Sequence, residues 1–269
     1  MEERLNDFFN DMYERELSEN TISAYKAGLN KYFSKYNELT KSNLIEWKKT
    51  MVEKEKTRSV NARIIAMNQF LKFIGRHDLC LRKIKEQTRT SVENVISYDD
   101  FNKLLNGLKN DGRIKAYLIC LFLGKTGARV SELIQFKKSD LKQGFAEMHT
   151  KGKIRRIYFC KSLLEDEHLK YFEDKKDDDF IFDSRFGEQI TKRGIAQLLQ
   201  NSARIYGIDR KVMHPHSFRH FFAIEFLKRD KDIALLADLL GHSSINTTMI
   251  YTRLNQSQQV ERLNSAMNF

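Results

Sequence analysis

The segment Ile114–Gly124, IKAYLICLFLG, is apolar on nearly every side. At about 3.6 residues per turn it has no face to turn to water, so it reads as a helix buried by others. It is too short to cross a bilayer, which takes about 20 residues. Around it apolar positions recur with helical rather than strand spacing, and Pro215 is the only proline. The expected class is therefore mainly α, with a small antiparallel β hairpin at GFAEMHTKGKIRRIYF (residues 144–159), two strands around a turn at KGK.

The first 75 residues read as four short amphipathic helices. Their apolar faces are Leu5, Phe8, Phe9, Met12 and Tyr13; Ile22, Tyr25, Leu29, Tyr32 or Phe33, and Tyr36; Leu44, Ile45, Trp47 and Met51; and Val60, Ile64, Met67, Leu71 and Ile74. Thr21 is the expected cap of the second helix, and Ser42 and Ser59 precede the third and fourth. LRKIKEQTRTSVEN (residues 81–94) is polar, basic and aperiodic, and reads as a linker. SYDD (residues 97–100) resembles a capping box opening a helix with Phe101, Leu104, Leu105 and Leu108. Further helices are expected near 161–174, 191–206, 216–229, 232–240 and 245–251. A last amphipathic one carries Val260, Leu263 and Met267. The division is thus 1–80, a linker 81–95, and 96–269.

The formal charge is +11. Residues 1–90 carry 18 basic and 13 acidic side chains, and residues 91–269 carry 29 and 23, so both halves are basic. A clamp with two basic faces fits a nucleic acid. Cys80, Cys120 and Cys160 are odd in number and far apart, which argues against disulfides and a cysteine zinc site. The acidic, amphipathic start lacks the pattern of a secretory signal, so the expected compartment is the cytoplasm, with no membrane partner.

HPHSFRHFF (residues 214–222) concentrates the chemistry. On a helix at about 100° per residue, Arg219 falls about 300° and His220 about 40° from His216, all in one sector. Phe218, Phe222 and Phe226 form the expected core stripe. His216 and His220 have the spacing of a zinc-protease helix, but Ser217 replaces the general-base Glu, and an Arg facing the same way repels a metal and attracts an anion. Phosphate suits a guanidinium fork beside histidines. A second basic group comes from TGARVSEL (residues 126–133), which turns at Gly127 and presents Arg129 at a helix start. LLGHSSINTTMIYTR (residues 239–253) supplies His242 and, nine residues later, Tyr251; Lys151 and Lys153 sit at the hairpin tip.

This order of motifs resembles the tyrosine recombinase (phage integrase) family, and Xer-like or mobile-element integrases in particular. The resemblance implies an N-terminal helical SAM-like core-binding domain (1–80), a linker (81–95) and a catalytic domain (96–269) whose C-terminal helix docks on a neighbour. It implies that Tyr251 attacks a scissile phosphate to form a 3′-phosphotyrosine. Arg129 and Arg219 grip the non-bridging oxygens, Lys151 protonates the leaving 5′-oxygen, His216 accepts the tyrosine proton and His242 donates to the phosphate. Glu132 and His220 support the site. It implies no metal and no cofactor. The hairpin departs from the family's G-K-G-x-K-x-R pattern, with Thr150 for the first Gly and Ile154 for the second Lys, so Lys153 rivals Lys151. The expected partner is double-stranded DNA with short inverted-repeat core sites, bound as a homotetramer on the nucleoid. Lys48, Lys49, Lys153, Lys192 and Arg193 are candidate DNA contacts. Two rival functions share the pattern: a catalytically silent DNA-binding regulator, and a relaxing type IB topoisomerase, against which the small size and the L-G-H block argue.

Overall fold

The computed structural model describes residues 1–85, 92–150, 153–184, 186–242, 244–252, 263, 264 and 267; the side chains of Thr150 and Lys153 lie outside this description, as does most of the expected C-terminal helix. The chain divides into two compact units, Met1–Thr88 and Arg89–Phe269.

The first unit holds α1 (Glu2–Glu14), α2 (Glu19–Phe33), α3 (Lys41–Lys54) and α4 (Thr57–Phe73), then a 3-10 turn at His77–Leu79. Each helix buries one stripe. Met12, Ile22, Leu29, Tyr32, Trp47 and Phe70 meet in one core, and Tyr13 and Ile45 stay exposed. Two expected caps shift. Ser18, not Thr21, caps α2 by accepting from the Thr21 amide, and Thr40, not Ser42, caps α3 by accepting from Asn43. Ser59 lies inside α4, which begins without a side-chain cap.

The segment expected to start the linker is fastened to α4. Asn68 donates to the Leu81 carbonyl and accepts from its amide, both at 2.8 Å. Asn61 does the same for Ile84, at 2.9 and 2.8 Å. Seven helical residues rise about 10.5 Å, and three extended ones span about 10 Å, so the two pairs stay in step. Leu81 is buried and Ile84 packs on the first core, which therefore reaches past residue 80.

The second unit runs α5 (Tyr98–Asn110), α6 (Ile114–Thr126), α7 (Val130–Leu133), α8 (Lys138–Gln143), β1 (Phe145–Thr150), β2 (Lys153–Tyr158), α9 (Asp166–Lys170), α10 (Lys192–Tyr206), α11 (Pro215–Arg229) and α12 (Ile233–Leu240). Ser97 caps α5, accepting from the Asp100 amide at 3.0 Å. Helix α6 is central, with Leu118, Ile119, Phe122 and Leu123 all fully buried. The stretch 161–174 is not one helix but a 3-10 turn, Lys161–Leu163, and the short α9. The stretch 245–251 is two 3-10 turns, Ile245–Thr247 and Met249–Tyr251.

The two strands pair antiparallel, with Ala146 opposite Ile157 and Met148 opposite Arg155. Ala146, Met148 and Ile157 face the core, while Ile154 and Tyr158 are exposed. Helix α11 starts with Pro215 in its first turn, where the missing amide donor costs nothing. Its buried face is Phe218 with Phe221, packed on Phe101, rather than a Phe218–Phe222–Phe226 stripe. Phe222 and Phe226 are partly buried and pack beside Ala223, Leu236 and Leu240. Among the described residues no helix is long and apolar enough to cross a membrane.

Candidate active site

Arg219 projects from α11 into the interior and is only 3% exposed. A buried guanidinium must have its donors paired. Helix α6 ends at Gly127 and α12 at Gly241, both in the left-handed region at φ +61° and +62°, where a Cβ is unfavourable. These turns leave carbonyls pointing at Arg219. Nη1 donates to Gly127 O at 2.7 Å, and Nη2 to Leu240 O at 2.6 Å. Helix C-termini carry partial negative charge, so two of them suit a cation. Burial, with Arg129 and Arg155 nearby, pushes the Arg219 pKa down to about 10, still well above neutrality. The glycines of TGAR and LGH thus serve one purpose: each ends a helix at the same arginine.

Arg129 opens α7 and is more accessible, with 39% of its side chain exposed. Its backbone amide donates to Glu132 Oε2 at 2.6 Å, and its guanidinium donates to Glu132 Oε1 at 2.9 Å. Burial alone would raise the Glu132 pKa. The charge of Arg155, with hydrogen bonds from Arg129 and Arg155, outweighs burial and holds it below the usual carboxylate range. Two guanidiniums therefore share one carboxylate, with the charge of Arg219 also near, leaving excess positive charge that suits an anion.

Tyr251 closes the second 3-10 turn and packs against the cluster of Ala223, Leu236 and Leu240. Its hydroxyl lies 2.8 Å from His220 Nδ1. The family resemblance gives the tyrosine proton to His216; in this arrangement the histidine in contact with the hydroxyl is His220. His216 instead stacks on His220, ring centroids 6.0 Å apart. One turn separates the two histidines, and the later one faces the hydroxyl. Burial raises the Tyr251 pKa against the pull of Arg219 and Arg129, so the phenol keeps its proton at neutral pH. Burial, then His216, His214 and Arg219, pushes His220 down to about 4.

His242 has a defined tautomer. Arg219 Nη2, which can only donate, lies 3.1 Å from His242 Nε2, so that nitrogen accepts. Nδ1 therefore carries the proton and donates to the buried Thr248 hydroxyl at 2.8 Å. Burial, then Arg219, Arg129 and Arg155, pushes His242 down to about 4, consistent with a neutral ring. With Nε2 accepting from Arg219, the His242 proton points to Thr248 in this arrangement.

The structure brings Arg129, Glu132, Arg219, His216, His220, His242 and Tyr251 together. Lys151 lies outside the described residues. Lys153 begins β2, paired with Thr150. Lys192 and Arg193 are exposed in the first turn of α10, and Lys49 is exposed on α3. Lys48 is half-buried and donates to Arg82 O at 2.6 Å, so part of its bonding capacity is structural. His214 is the N-cap of α11, its Nδ1 accepting from the Ser217 amide. His168 is buried in α9 against the Tyr117 hydroxyl. Sequence reasoning missed Thr248, which orients His242, and Arg155. The adjacent Arg155 and Arg156 hid the strand's alternation; only the outward Arg156 behaves as a surface residue, paired with Glu147.

Residues 94–258 match the phage integrase family, and residues 5–77 match the phage integrase N-terminal SAM-like domain. The chain belongs to the phage integrase family, the tyrosine-type site-specific recombinases. It is 30% identical over 291 residues to tyrosine recombinase XerD of Listeria monocytogenes, covering 95% of each chain. To tyrosine recombinase XerA of Pyrococcus furiosus it is 31% identical over 263 residues, 93% of this chain and 90% of that one. The crystal structure of XerA recombinase superposes with a TM-score of 0.55 at 26% identity, over 99% of this chain and 98% of that one. The Tn1549 transposon integrase, solved in complex with transposon right-end DNA, shares the fold: TM-score 0.74 at 16% identity, over 99% of both chains.

Proposed function

We propose that this recombinase cleaves and rejoins double-stranded DNA at short inverted-repeat core sites through a 3′-phosphotyrosine intermediate. The observation that carries the reading is the Tyr251 hydroxyl, held 2.8 Å from His220 Nδ1 on the helix whose Arg219 is part of the guanidinium cluster. The Tyr251 oxygen attacks phosphorus as the bond to the 5′-oxygen breaks, so the ester energy is kept for religation. The phenol proton passes to His220 Nδ1, the group in contact, with the His216 ring stacked on it. Because His220 is so weak a base here, transfer accompanies attack rather than preceding it. Lys151 gives a proton to the departing 5′-oxygen; Lys153 is its rival.

Charge gathering on the non-bridging oxygens falls to Arg129 and Arg219. Arg219 has five N–H donors, of which Gly127, Leu240 and His242 take three, leaving two for oxygens. The phosphate's charge favours protonated His242, whose Nε2 then donates to an oxygen and no longer accepts from Arg219, freeing that Arg219 donor as well. No step in this scheme calls on a metal or a cofactor.

The first unit, residues 1–80 with the segment fastened to α4 as far as Ile84, is proposed to bind the core site, with the linker running on to 95 and 96–269 carrying the chemistry. Relatives solved on DNA support the partner: XerH bound to its difH substrate, and a lambda integrase dimer bound to a core site. Lys49, Lys192 and Arg193, with Lys48 and Lys153, are proposed phosphate contacts, so affinity falls steeply with salt. Exchange between two sites needs four cleavages, which a homotetramer on the nucleoid supplies.

The test is covalent trapping. The protein is incubated in EDTA with nicked duplex made from the inverted repeats flanking its gene. An SDS-stable adduct is expected with wild type and none with Tyr251→Phe, at equal DNA affinity. An adduct that survives in Tyr251→Phe sinks the assignment of the nucleophile.

A further inference from the structure

Arg155 stands at an inward register position of β2, between Lys153 and Ile157 and opposite Met148. The inward neighbours Ala146, Met148 and Ile157 are buried and apolar. A charge on that face is costly unless paired on several sides. Only 10% of the Arg155 side chain is exposed, and its partners are specific. Nη1 donates to Glu132 Oε1 at 2.5 Å, and Nη2 donates to Leu239 O at 2.7 Å.

Both partners lead to the proposed phosphate grip. Glu132 Oε1 also accepts from the Arg129 guanidinium, so one carboxylate oxygen is shared by an arginine on α7 and one on β2. The α12 end gives the second link. A helix leaves four carbonyls without intrahelical partners. At α12 the Gly241 and His242 amides satisfy Asp238 O and Ala237 O, the pattern of a left-handed glycine cap. That leaves Leu239 O and Leu240 O. Arg155 takes the first and Arg219 the second. Two arginines from two elements thus complete one helix terminus, two residues before His242. A Cβ on Gly241 would collide with the Arg155 stem, so the LGH glycine is needed for this packing as well as for its φ.

We infer that Arg155 is a positioning residue that ties strand β2 to Glu132 and to the end of α12, and so fixes the guanidinium of Arg129 relative to that of Arg219. Arg155 Nε is buried against Gly241 with no hydrogen-bond partner among the described residues, and the other two nitrogens are engaged, so its role is to aim other groups. The inference rests on the reading of Arg129 and Arg219 as the grip on the scissile phosphate.

The experiment measures single-turnover cleavage of the nicked duplex at saturating protein, the Kd for the same duplex, and the thermal melt. Arg155→Met and Arg155→Lys are made alone and with Glu132→Gln. A misplacement of about 1 Å costs about 100-fold in rate. Arg155→Met is therefore expected to cleave about 100-fold slower, and Arg155→Lys about 10-fold slower because one amine cannot span both acceptors. Kd should stay within about 2-fold. Residues acting through one carboxylate are not additive, so Glu132→Gln should cost little more once Arg155 is Met. If Arg155→Met fails to fold, Arg155→Lys and its pairing with Glu132→Gln carry the test. Wild-type cleavage rates in folded Arg155 variants overturn the inference, as do rate losses that multiply independently with Glu132→Gln. So does a loss that tracks Kd. Absence of any adduct with wild type removes the phosphate-grip reading itself, and is distinguishable because it precedes any variant.

Discussion

The two units bury different things. Among the described residues, eight polar or charged side chains are buried, and only Asn61 belongs to the first unit. In that unit each helix turns one stripe inward and water solvates the rest, so the interior is mostly apolar packing, with Asn61 its one buried polar side chain among the described residues. In the second, α6 and α11 are enclosed on several sides. Helix α11 carries Ser217 and Arg219 inside with Phe218 and Phe221. Polar groups trapped there must find partners: Ser217 accepts from the Ile96 amide, and Arg219 takes helix carbonyls. The difference teaches that a rigid cationic site comes from burying charge where helices end, at a cost that a plain bundle avoids.

The sharpest way to break this contrast is Arg219→Ala. It strips the partner from two buried carbonyls and removes one transition-state donor. Cleavage should fall about 1000-fold, and urea unfolding should show the second unit weaker by about 3 kcal/mol. Full stability with lost activity would mean the carbonyls repair themselves. In the first unit, Phe70→Ala should cost about 3–4 kcal/mol as a cavity mutation. Hydrogen exchange should then lose protection across α1–α4 while α6 and α11 keep theirs; loss in both units would show that the cores are not separate.

Acid should separate the units next. His214, His216, His220 and His242 are all held below the usual histidine pKa, chiefly by burial, with His220 and His242 at about 4. A depressed pKa means the unfolded chain binds protons that the folded one refuses. The stabilising difference is complete above about pH 6.5 and is lost as pH falls toward 4. Melts between pH 7 and 4 should show this slope, and His220→Gln with His242→Gln should flatten it. An unchanged slope in that double variant places the acid sensitivity elsewhere. The smallest effect is Ser97→Ala, which removes the α5 cap and should lower stability by about 1 kcal/mol in the same melts.

Much of this was legible beforehand, for reasons that differ by residue. Ser97 could be identified as a cap because it stands alone before a periodic run. Ser18 and Thr21, or Thr40 and Ser42, compete within a few positions, and the winner depends on which helical phase packs inward. His216 and His220 share a face one turn apart, so periodicity places both near the site and cannot choose between them. Where the tyrosine hydroxyl arrives is set by the turn after α12. Leu81 and Ile84 look like linker because their partners, Asn68 and Asn61, are side-chain amides 13 and 23 residues away. Periodicity carries no information about such pairs.

By itself, the sequence determined which residues could act: the helices from their period, the hairpin from its alternation and turn, and the Arg, His and Tyr set from types and intervals. Only the tertiary structure decided what each one touches. It gave Arg219 to the ends of α6 and α12, Tyr251 to His220, and Arg155 to both Glu132 and Leu239. The physical reason is range. Helix and strand periods are short-distance properties of a chain, whereas a buried cation is satisfied by whichever carbonyls and carboxylates the completed packing brings within hydrogen-bond reach.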